Sequence, residues 1–166
     1  MIKSMKFFST IIFLFILCIT KIQYASEILI YGDNISYDKD KNLIARGNVK
    51  VIEENKIIIS DLIIYNPKKK QFIMPVSFQC KDEKENYYYA SSGTFNKDLQ
   101  NATMENVKIL LNEGSRIVGK NAIKKGDIDI INKGTFSSCD SKINISNFSC
   151  PIWQLESEKI LHDNDS

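Results

Sequence analysis

Apolar and polar residues alternate with a period of two along much of the chain. Leu43, Ala45, Gly47, Val49 and Val51 fall on one face, and Arg46, Asn48 and Lys50 on the other. That is the pattern of a β-strand with one buried face. Val and Ile dominate these stretches, and β-branched side chains suit a pleated surface. Residues 57–65 are apolar at nearly every position, which predicts a strand buried on both sides or one whose outer face meets a partner. Pro75 and the charged, Tyr-rich stretch 81–89 predict a longer loop or an edge strand. Beyond residue 25, helical periodicity is never sustained past a turn or two. The chain therefore reads as all-β.

The strands repeat. Asp33-Asn34-Ile35-Ser36-Tyr37 returns 28 positions later as Asp61-Leu62-Ile63-Ile64-Tyr65, and a weaker copy, Ser91-Ser92-Gly93-Thr94-Phe95, follows 30 positions on. Asn48-Val49-Lys50-Val51 recurs as Asn106-Val107-Lys108-Ile109, a shift of 58. After each aromatic comes a polar run that leads back to an apolar residue: Leu43, Phe72 or Leu99. The unit is strand, tight polar turn, strand. Hairpins of this length can form a sandwich, a closed barrel or an open roll, and periodicity does not choose among them. In an open roll the inward row of Ile and Val lines a groove, and the end strands stay unpaired and able to accept a neighbour's strand.

The N-terminus changes the picture of charge and place. Lys3 and Lys6 precede an almost wholly apolar run over residues 7–19, and polar character returns from Lys21. A basic start, a short apolar core and a small residue at the exit describe a secretory signal peptide, with cleavage expected after Ala25. The run is shorter than the roughly 20 residues of a spanning helix; the alternative is an uncleaved anchor. The whole chain has 22 basic and 20 acidic residues. Three of the lysines lie in residues 1–25, so the remainder is close to neutral and slightly acidic. The basic balance thus belongs to the leader, and nucleic acid is not an expected partner. Beyond it stand Cys80, Cys139 and Cys150. In an oxidising compartment cysteines tend to pair, and an odd count leaves at least one free or joined to another chain. One histidine and scattered cysteines do not offer a zinc site, and no cofactor is expected.

The run Tyr31-Gly32-Asp33-Asn34-Ile35-Ser36-Tyr37, followed by Leu43-Ile44-Ala45-Arg46-Gly47-Asn48-Val49, resembles the organic-solvent-tolerance A repeat of periplasmic proteins that carry lipopolysaccharide to the outer membrane. Thr135-Phe136-Ser137-Ser138-Cys139, Cys150-Pro151-Ile152-Trp153-Gln154-Leu155 and the ending Lys159-Ile160-Leu161-His162-Asp163 are similar to the junction in the outer-membrane assembly protein of that group. There such a segment closes the periplasmic domain before a membrane barrel. The likeness covers essentially everything after residue 25, strongly at both ends and weakly in the middle. Several members carry a further cysteine near the mature N-terminus, which this chain lacks. Their long-range disulfide pattern therefore transfers only to Cys139 and Cys150.

The resemblance implies an open β-jellyroll, a twisted roll of short antiparallel strands. It implies a signal peptide over 1–25, a jellyroll domain over 26–138, and a junction segment over 139–166, after which the family's barrel would follow. It implies a non-enzymatic, periplasmic role: holding lipopolysaccharide acyl chains in an apolar groove and docking to other jellyroll proteins by strand addition. A barrel encoded separately would be a further partner. Ile35, Val49, Val51, Ile63, Val107 and Ile109 are the candidate lining residues, with packing in an ordinary core as the alternative for each. Two other readings compete with the translocon fragment: a bridge protein complete at this length, and a non-functional remnant. For an enzyme the chain offers little. His162 has no Ser or Cys partner at a motif spacing, and Asp33, Asp61, Asp127 and Asp129 are expected at strand ends, bonded to turns. The run Lys68, Lys69 and Lys70 reads as a solvated turn.

Overall fold

A computed structural model describes residues 27–138 and 154–164. The expected signal peptide, Cys139 and Cys150 lie outside them. Among the described residues twelve strands follow in order: β1 (Ile28–Tyr31), β2 (Asn34–Tyr37), β3 (Leu43–Glu53), β4 (Lys56–Asn66), β5 (Gln71–Met74), β6 (Phe78–Lys81), β7 (Tyr87–Ala90), β8 (Ser92–Asn96), β9 (Asn101–Leu110), β10 (Arg116–Lys125), β11 (Ile128–Ser137) and β12 (Leu155–Asp163). All the pairings are antiparallel and belong to one sheet. The fold is all-β and jellyroll-like.

The short strands are halves of longer ribbons. β1 and β2 both pair with β3, at opposite ends of it. β5 and β6 share β4 in the same way, and β7 and β8 share β9. The chain is therefore an up-and-down meander whose ribbons are interrupted or bent near their middles. One leaf of the folded sheet holds β1, the C-terminal half of β3, the N-terminal half of β4, β6, β7, and the parts of β9 to β12 beside them. The other holds β2, β5, β8 and the remaining halves. A repeat of about 29 residues is thus one hairpin crossing both leaves, which is why Tyr37, Tyr65 and Phe95 all end ribbons on the same leaf.

A transverse crease separates the leaves, and left-handed residues mark it. Asn48, Asn106 and Lys133 have φ of 47°, 49° and 49°. Inward residues switch parity there: Met104 and Val107 are both buried while Glu105 and Asn106 between them are exposed, so the strand bends and keeps an apolar face inside on either side. Between Arg46 and Val49 the β3–β4 register slips as a bulge, which sharpens a bend. Gly47, at φ +73°, stands where a side chain would collide with the Asp33 carboxylate.

The 58-residue repeat has its physical basis in this crease. Asp33 N–H donates to the Gly47 carbonyl at 2.9 Å, and Asn48 Nδ2 donates to Asp33 Oδ2 at 2.9 Å. Ser91 N–H donates to the Glu105 carbonyl at 2.9 Å, and Asn106 Nδ2 donates to Ser91 Oγ at 3.0 Å. Asparagine tolerates the left-handed region, and its amide ties the bend to the neighbouring ribbon, 15 positions earlier in the chain.

The stretch 81–89 departs from its expectation. It forms the β6–β7 hairpin in the middle of the sheet, with β4 on one side and β9 on the other. Its polar turn repeats the earlier one: Asp82 and Asp38 each accept the backbone N–H of the asparagine four residues on, Asn86 and Asn42, at 2.9 Å. Glu85 and Lys41 take the left-handed position in those turns. The charges that suggested an edge are turn chemistry. Residues 57–65 are buried on one face only: Ile58 and Ile63 lie inside, whereas Ile59 is exposed on the outer face.

Candidate functional site

The two leaves enclose an apolar interior. Ala45, Val49, Val51, Ile58, Ile63, Phe72, Met74, Phe78, Phe95, Met104, Val107, Ile109, Ile117 and Ile131 are buried in one continuous cluster. Phe78 of one leaf meets Phe95 of the other edge-on, their ring centroids 5.8 Å apart. Gly93 makes room for that contact, because a Cβ there would lie 2.9 Å from the Phe78 ring.

Five of the six candidate lining residues, Val49, Val51, Ile63, Val107 and Ile109, lie in this cluster, each at most 2% exposed. They come from both leaves and line one interior, but it is filled by its own side chains. Ile35 differs. It pairs with Ala45 and so shares the inward face, as Tyr37 does opposite Leu43. Yet Ile35 is 47% and Tyr37 72% exposed. At the other end of the sheet Leu155 pairs with Phe136 and is 60% exposed. The interior row therefore reaches water at both ends of the roll, beside β1–β2 and β12, each of which is paired on one side only among the described residues.

Opposite the crease, the free ends of the two leaves form lips, and polar groups join them. Asp82, Asn86 and Tyr88 come from one leaf and Lys124, Asp129 and Asn164 from the other. Tyr88 Oη donates to Asp129 Oδ2 at 2.8 Å and lies 3.2 Å from Asp82 Oδ2. Lys124 Nζ donates to Tyr88 Oη at 3.1 Å, with Asp129 Oδ1 at 3.5 Å and Asp82 Oδ2 at 3.7 Å. Asn164 Nδ2 donates to Asp129 Oδ2 at 3.0 Å, and Asn164 Oδ1 accepts from Asn86 Nδ2 at 2.8 Å. Further along the lips, Lys56 Nζ donates to the Asp98 carbonyl at 3.2 Å, and Lys84 Nζ reaches Asp127 Oδ1 at 3.3 Å and the Asn164 carbonyl at 2.9 Å. A cavity of about 80 Å³ lies among Lys56, Asp82, Lys84, Lys124 and Asn164.

Asp82, Lys124 and Asp129 are buried, so their charges interact through little water. Burial, then the Asp129 and Asp82 carboxylates, raise the Tyr88 phenol far above its usual range. Burial, followed by the nearby Asp82 charge, pushes the Cys80 thiol up to about 12. Asp129 stands at the start of β11, at a strand end as expected, but it is fully buried and bonded to Tyr88 and Asn164 instead of to a turn. Asp61 lies in the middle of β4 and not at a strand end. Asp33 does serve the bend, and Asp127 stands at the β10–β11 turn, where it meets Lys84. His162 Nε2 contacts Asn164 Oδ1 at 3.1 Å, so it borders the lip network. Lys68, Lys69 and Lys70 are exposed on a turn.

Sequence reasoning missed this network. The available signs were the second Asp-x-x-x-Asn turn at Asp82, and Lys124, 29 positions beyond Phe95, where the repeat calls for an apolar residue. The sequence matches no family model and no curated protein.

Proposed function

We propose that this chain is a non-enzymatic carrier for lipopolysaccharide in the periplasm, covering the lipid's acyl chains with the apolar interior of the roll while the sugars stay in water. The observation that carries the reading is the interior itself: a row of Ile, Val, Met and Phe that runs across the sheet and reaches the surface as Ile35, Tyr37 and Leu155 at its ends. Each buried methylene is worth roughly 0.8 kcal/mol, so several acyl chains cross water only under cover. Strands β1–β2 and β12, which are the edges among the described residues, offer backbone groups for strand addition by other jellyroll proteins, which would extend the apolar path. The resemblance to the organic-solvent-tolerance A repeat supports the same assignment, including export by cleavage after Ala25 and delivery to an outer-membrane barrel.

Photo-crosslinking tests it. Probes at Val49 and Ile63 face inward and should capture lipopolysaccharide, whereas a probe at Lys50, on the opposite face of β3, should capture much less. Equal capture at the three positions, or none, would leave a plain sandwich core.

A further inference from the structure

We propose that the lips of the roll form a lateral entrance to its interior, hinged at the crease and locked by the Lys124–Tyr88–Asp82–Asp129 cluster. This rests on the reading of the interior as a lipid site and adds how that site is loaded. The interior is filled and its central residues lie out of reach of solvent, so an elongated apolar ligand enters only if the leaves separate.

The two sides of the roll resist separation differently. At the crease the leaves are one sheet: β3, β4, β9, β10, β11 and β12 run continuously from leaf to leaf. Gly47, Asn48, Asn106 and Lys133 already hold left-handed conformations there. Rotation about this line preserves the ladders within each leaf. At the lips the bonds described above are made by side chains: Lys56 to Asp98, Lys84 to Asp127 and Asn164, Asn86 to Asn164, Tyr88 to Asp129, and Lys124 to Tyr88 and Asp82.

The chemistry of the lock suits reversible opening. Apolar side chains would seal the lips at least as firmly, because replacing a buried ion cluster by packed hydrocarbon is often neutral or stabilising. An apolar seal, however, exposes hydrocarbon to water each time it parts. Lys124, Asp82, Asp129 and Tyr88 instead regain hydration when the lips part, which offsets the bonds they lose. Deeper in, parting Phe78 from Phe95 uncovers apolar surface that acyl chains can cover.

Cys80 reports on this motion. It faces inward beside Tyr88, buried, with its thiol held protonated, so a maleimide reaches it only through opening. In the full chain with Cys18, Cys139 and Cys150 replaced by serine, N-ethylmaleimide labelling of Cys80 is measured across low denaturant concentrations. The expected result is labelling nearly independent of denaturant, the mark of sub-global opening, and accelerated about tenfold or more by Lys124→Met, which strands two buried carboxylates. Uptake of fluorophore-labelled lipopolysaccharide should accelerate with it. Labelling that follows global unfolding in the protein with its clasp intact overturns the entrance, even if Lys124→Met fails to fold. Uptake unchanged while labelling accelerates also overturns it, placing entry at the ends of the roll and leaving the carrier role standing. Sub-global labelling without any uptake overturns the lipid reading itself, and the entrance with it.

Discussion

Lys124 Nζ and Tyr88 Oη lie 3.1 Å apart, although Lys124 stands at the tip of one leaf and Tyr88 near the tip of the other. The ammonium also lies over the Tyr88 ring, 5.1 Å from its centroid. The bond closes a folded sheet at the edge farthest from its crease. It also gives Lys124 a polar place at a ribbon position where the corresponding residue, Phe95, is core.

Removing the lysine alone should be costly. Lys124→Met leaves Asp82 and Asp129 buried without their cation, and should destabilise the protein by about 3–5 kcal/mol. Adding Asp82→Asn and Asp129→Asn to it should recover part of that loss. Urea unfolding of the single and triple variants makes the comparison; a triple variant less stable than the single one would contradict the account.

Tyr88→Phe removes the hydroxyl but keeps the ring in the core. Asp129 Oδ2 then retains Asn164 as its donor, and the expected cost is about 1–3 kcal/mol. The denaturation midpoint should fall with an unchanged slope, since the surface exposed on unfolding is the same.

At the crease, Asn106→Val should destabilise by about 1–2 kcal/mol, because a β-branched residue is forced to positive φ and the bond to Ser91 is lost. Asn106→Gly should cost less than Asn106→Val, as glycine adopts that conformation freely. Asn48 holds the equivalent place and should show the same order of variants.

Alkali should loosen the fold through Cys80. Its folded-state pKa of about 12 exceeds the ordinary 9.0, so the folded state keeps a proton that the unfolded chain loses. The stability linked to that proton is whole below pH 9 and declines as pH rises towards 12, by about 1.4 kcal/mol per pH unit. Tyr88, raised from 10.0, adds a decline of the same sign above that pH. Denaturation midpoints of the parent and Cys80→Ala between pH 8 and pH 11 should diverge, with the shallower loss in the variant.

Neighbour-to-neighbour rules determined much of this protein. Alternation at Ala45, Val49 and Val51 named the inward face of β3, and the polar runs after Tyr37, Tyr65 and Phe95 named the turns, because both follow from backbone geometry within a few residues. The 58-residue echo of Asn48 in Asn106 was legible as well, since the same bend demands the same amide. Only the tertiary structure decided what these pieces enclose. Whether the Ile and Val row is open or filled depends on how far the sheet folds about its crease, which local spacing does not encode. The lip network was equally hidden: Tyr88 and Lys124 are 36 positions apart and Tyr88 and Asp129 are 41. Read alone, each charged residue resembles a solvated strand end. The fold brings the tips of both leaves together, excludes most of the water between them, and so turns those charges into one another's partners.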